Sequence, residues 1–141
     1  MIKYRVYEYH LVRIVDSLDR IPQTYDDAFK LTQRFYDDIG YMDGIEFFDS
    51  HQWNWSSSNG IKEFDTREEA ESYYMTAGES FIKKQGIKDT VYFVSLCLVH
   101  ICEVETNPLD DYDLGIETPL ANRVGGFDRY LSQLMAERVR K

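Results

Sequence analysis

The sequence predicts an α+β domain. It has an antiparallel sheet of about four strands with helices on one face, in β-α-β-β-α-β (ferredoxin-like) order, and a further C-terminal helix. Three observations predict this. Residues 90–105, TVYFVSLCLVHICEVE, are the longest apolar run and are rich in β-branched and aromatic side chains, which suit a buried pleated surface. Segments starting at Thr24 and Thr66 carry apolar residues at helical spacing behind a hydroxyl cap. Shorter alternating runs around them read as strands. The chain has 141 residues, 43% hydrophobic and 15% aromatic, which suits one globular domain over 1–141 and excludes a disordered chain.

Residues 3–15 alternate as a first strand, with Tyr4, Val6, Val12 and Ile14 on one face and Tyr7, Tyr9, Leu11 and Val15 on the other. The alternation falters around residues 8–11, which predicts a bulge. Thr24 caps a helix whose stripe is Tyr25, Ala28, Phe29, Thr32, Phe35, Tyr36 and Ile39, with Gly40 as its stop. Residues 45–55 and 61–64 read as two strands around the turn Ser56-Ser57-Ser58-Asn59-Gly60. Thr66 and Glu69 form a capping box for a second helix, read as running to Gly86 with Phe81 in its stripe. Residues 90–105 follow as the spine. They are apolar on both faces and so must be covered on both over most of their length. In a ferredoxin-like order this fourth strand is an edge, which conflicts with its composition. Residues 1–105 thus make the core, and 106–141 an acidic loop and a last helix over 127–140, with Thr118-Pro119 read as capping a short helical turn.

The net charge of −9 argues against a broad direct contact with nucleic acid or an anionic membrane, because both need a basic footprint. It permits a basic protein partner. The spine is about 16 residues long, whereas a membrane helix needs roughly 20. The N-terminus lacks a signal-peptide core. Cys97 and Cys102, five apart on one strand, point to opposite faces and read as buried thiols in a reducing, cytoplasmic setting.

No motif carries chemistry alone. His10, His51 and His100 lack metal-ligand spacing apart from His100-x-Cys102. Asp111-x-Asp113-x-Gly115 departs from a calcium loop in its glycine position and its missing terminal Glu. Gly125-Gly126 lacks a phosphate-loop pattern. The reading therefore has no catalytic residue, no metal and no cofactor, and favours binding over catalysis.

The acids are more informative. Glu103, Glu105, Asp110, Asp111, Asp113 and Glu117 fall in 103–117, a segment with no Lys or Arg. The plainer reading is a solvated loop. The sharper one is a patch that imitates nucleic-acid charge and occupies the basic cleft of a nucleic-acid-handling protein. Small virus-encoded antagonists of host nucleases share that charge logic, as an analogy only. Tyr112, Trp53 and Trp55 are the candidate aromatic anchors, the plainer fate of the tryptophans being to pack beneath a helix. Basic residues near both termini suggest a polarised molecule suited to homodimer contacts. The competing class is a small-ligand or nucleotide-binding protein, or an enzyme, with a pocket at the sheet or subunit interface using His10, His100 and Tyr92.

Overall fold

In the computed structural model, two long strands form the axis of the molecule. They are β1 (Ile2–Val15) and the spine, here β5 (Val91–Glu105). The structure describes residues 1–38, 53–55, 60–85, 91–107, 109 and 115–139. β1 and β5 pair antiparallel throughout, from Ile2 opposite Glu105 to Val15 opposite Tyr92. The register does not slip, so the bulge expected at residues 8–11 is absent from this ladder.

The outer edge of β1 takes two short strands. β3 (Gly60–Phe64) lies along residues 4–8, and β2 (Asn54–Trp55) pairs with Leu11 and Val12. They share β1 rather than pairing with each other, so the expected hairpin is not formed among the described residues. Residues 45–52 and 56–59 of that prediction lie outside them.

The outer edge of β5 is also shared. β4 (Phe81–Gln85) covers its first part, and β6 (Ile116–Gly125) covers the rest. The result is an antiparallel, curled, half-barrel sheet. It does not have the ferredoxin-like order. The apolar spine is central, as its composition demands, because the chain after it folds back alongside as a strand. Residues 116–125, read as a helical turn, are that strand.

Three helices pack on the sheet among the described residues. α1 (Tyr25–Asp38) starts where Thr24 Oγ1 accepts from Asp27 N at 3.2 Å. α2 (Arg67–Thr76) is capped by Thr66, whose Oγ1 accepts from Glu69 N at 3.3 Å and donates to Glu69 Oε1 at 2.8 Å. α2 stops well before Gly86. Gly78 takes a left-handed φ of 90° just after it, and Phe81 enters β4 instead of a helical stripe. α3 (Phe127–Val139) buries Phe127, Tyr130 and Leu134 and leaves Met135 and Val139 exposed.

The helices do not share one face. Directly opposed residues of antiparallel strands point the same way. Leu11, Val15, Tyr92, Val94, Leu96 and Ile82 thus lie on one face, under Ala28 and Phe35 of α1 and Tyr130 and Leu134 of α3. Val6, Cys97, Val99 and Ile101 lie on the other, under Ala70 and Tyr74 of α2. Covering both faces removes more apolar surface of β5 from water than one layer would, at roughly 25 cal/mol per Å2. The spine residues Val94, Leu96, Leu98, Val99 and Val104 are fully buried.

One junction holds the shared edge together. Between β4 and β6, the fully buried Ser80 side chain bridges the two strands. Its Oγ accepts from Cys97 N at 2.9 Å and donates to Gly125 O at 2.6 Å. Gly125 lies against Ala77 and Gly78 so closely that a Cβ there would sit 2.7 Å from Ala77 O.

Candidate functional site

The acids of 103–117 enter the structure at one end of the sheet. There β1 begins, β3 and β5 end, and β6 starts. Glu103 lies opposite Tyr4 and Thr118, and Glu117 opposite Val104. A register shift in β6 decides which way Glu117 faces. Ile101 pairs with Ala121 but Cys102 pairs with Pro119, so Leu120 is an extra residue. A one-residue slip moves every following side chain to the other face. Glu117 therefore shares a face with Arg5 and Tyr7.

These three form a clasp across β5. Arg5 Nη1 lies 3.1 Å from Glu117 Oε1, and Arg5 Nε lies 2.9 Å from Glu63 Oε2 on the other side. The Tyr7 hydroxyl also donates to Glu117. Cys102, small and fully buried, occupies the strand between them. The hydrogen bond to Glu63, first, and then those to Tyr7 and Glu117 hold the Arg5 guanidinium more firmly protonated than usual. Burial, reinforced by Glu117, pushes the Tyr7 phenol up to about 12 and the Cys102 thiol up to about 11.

The sequence contains no base within 103–117, but the fold supplies one. Glu117 is matched by Arg5, so its charge is not free in the way a local reading suggests. Glu103 is half-buried and accepts from the Tyr4 hydroxyl at 3.4 Å. Glu105 is exposed and has no ion-pair partner among the described residues. Nearby, Lys3 pairs with Asp65, and Arg67 Nε lies 2.6 Å from Glu71 Oε1. Lys3 and Arg5 thus do not make the N-terminal end basic; they sit among carboxylates. Asp110, Asp111, Tyr112 and Asp113 lie outside the described residues.

Trp53 is placed differently from an anchor. Trp53 is 3% exposed and belongs to the core, with the Arg13 guanidinium 5.8 Å from its ring centroid. A ring so enclosed offers no surface to a partner. Trp55 is described only through its backbone, opposite Leu11.

Further along the Arg5 face, a polar and aromatic network joins α1 to the sheet. Asn122 Nδ2 donates to Gln33 Oε1 at 2.7 Å, which leaves Asn122 Oδ1 to accept from His100 Nδ1. His100 is 2% exposed, with the Tyr36 and Tyr7 ring centroids 5.1 and 6.0 Å away. Tyr9 stacks on Tyr7 at 5.7 Å. Burial, then Glu117, raises the Tyr36 pKa, and burial, then Tyr36, raises that of Tyr9. Sequence reasoning missed this network because its members come from four separate elements. The alternating tyrosines of β1 were its only visible signal.

The residues considered for a small-ligand pocket do not come together. His10 faces the opposite side of the sheet, with Nδ1 3.4 Å from Ser95 Oγ, and burial lowers its pKa. Tyr92 is in the core, roughly 26 Å from His100 along the strand at about 3.3 Å per residue. Two surface clefts, of about 340 and 230 Å3, are lined by α1 residues including Phe29 and Arg34 and by the Tyr25–Arg123–Asp128 region. His100, Tyr7 and Arg5 line neither. Among the described residues no group of three or more His, Cys, Asp or Glu is placed to hold a metal ion, and no helix is long and apolar enough to cross a membrane. Comparison with known protein families, curated proteins and solved structures finds no match.

Proposed function

We propose that this chain is a small acidic protein-binding module, an inhibitor or adaptor that presents its acidic sheet end to a basic cleft of a nucleic-acid-handling protein. The observation that carries the reading is the register of β5 and β6. It gathers Glu103 and Glu105 at the sheet end that also holds Glu63 and Asp65, and the segment joining the two strands contains Asp110, Asp111 and Asp113. Arg13, Lys83 and Lys84 lie at the opposite end of the ladder, and at the acidic end Lys3 and Arg5 are engaged with Asp65, Glu63 and Glu117, which leaves Glu103 and Glu105 to face a basic partner. Glu103 and Glu105 share a strand face about 6.6 Å apart, close to the spacing of successive phosphates along a nucleic-acid strand. Tyr112, between the aspartates, is the aromatic contact of this reading. Glu117 serves it indirectly, held by Arg5 as part of the frame. Two free, buried thiols support the reading of a reducing, cytoplasmic setting that this proposal carries.

The test is affinity capture on the immobilised chain, compared with a variant carrying Glu103→Lys, Glu105→Lys, Asp110→Lys, Asp111→Lys and Asp113→Lys. The expected result is capture of basic nucleic-acid-binding proteins, weakened steeply by salt and lost in the variant. Capture of the same proteins by both chains, independent of salt, would sink the proposal.

A further inference from the structure

We draw no further inference here: the strongest candidate, the sheet face on which Val12, Ile14, Phe81, Val91 and Phe93 lie together beside the layer under α2, carries nothing because nothing in the structure shows what covers it.

Discussion

Replacing Ser80 by alanine tests the account of the shared β5 edge. The hydroxyl is fully buried and serves two backbone groups, Cys97 N at 2.9 Å and Gly125 O at 2.6 Å. Alanine fits the space but bonds to neither. Each buried backbone group left unpaired costs about 1–3 kcal/mol. With partial relaxation between two adjacent orphans, the expected loss is about 3 kcal/mol. At roughly 2–4 °C per kcal/mol for a domain of this size, the midpoint falls by about 6–12 °C. Urea unfolding followed by far-UV circular dichroism gives the free energy, and an unchanged slope against denaturant shows that the unfolded state is unaffected. Native-state hydrogen exchange should also quicken at the Cys97 amide. Ser132, exposed on α3, is the control; its alanine variant should stay within about 0.5 kcal/mol of the parent. A loss below about 1 kcal/mol for Ser80→Ala, with exchange at Cys97 unaltered, would refute the idea that this side chain joins β4 to β6.

Three other outcomes follow from the same geometry. Gly125→Ala should cost about 3 kcal/mol, because the new Cβ meets the backbone of Ala77 and Gly78, whereas Gly60→Ala meets only the far end of the Glu8 side chain, which can shift at the expense of its hydrogen bond from Tyr73, and should cost less; paired urea melts give the comparison. Stability should fall as pH rises from 10 towards 12. Tyr7 is raised from 10.0 to about 12 and Cys97 from 9.0 to about 12, so the unfolded chain loses protons first and the stabilisation present below the unfolded pKa values disappears through the folded ones; a part of the tyrosinate absorbance that rises only together with loss of circular dichroism, separate from that of exposed tyrosines such as Tyr25, is the expected trace, and full tyrosine ionisation in a still-folded chain would contradict it. Arg5→Gln should lower stability by about 1–2 kcal/mol while strengthening capture of basic proteins, since it frees Glu63 and Glu117. Weaker capture by a folded Arg5→Gln chain would count against the acidic end as the binding surface.

The sequence was most readable where composition alone sets position. Residues 90–105 are apolar on both faces, and that requires a central strand with two cover layers, as observed. Thr24 and Thr66 marked helix starts because capping is local chemistry. The errors arose where a neighbour decides. Phe81 continues the helical spacing of Tyr73, Tyr74 and Ala77, so the pattern hides the stop at Thr76. The uncovered edge of β5 and the left-handed Gly78 make 81–85 a strand. Residues 116–125 have little apolar periodicity and contain Pro119, which weakens any strand prediction. They are tolerated as a strand because they form an edge with an extra residue beside the proline. Of the site, the local cluster of acids was visible, but the Arg5–Glu117 pair, 112 residues apart, was not. Its geometry depends on the unmarked slip at Leu120.

That slip alters how the charge of the chain should be understood. In sequence, α1 holds acids and bases together, as in Lys30 with Asp26, while 103–117 holds only acids. In space the contrast is smaller, because Arg5 reaches Glu117 over Cys102, and a larger residue at that position would stand in its path. The clasp and the acidic end are therefore parts of one arrangement. Arg5 pairs with the two carboxylates that share its sheet face, Glu63 and Glu117, which lets β1, β3 and β6 lie together without like-charge repulsion. Glu105, exposed at the end of the spine, is left as field. Net charge alone does not separate these roles; whether a carboxylate has a cation within about 4 Å does. In the proposed reading, the acids left for a partner are those the fold does not already use.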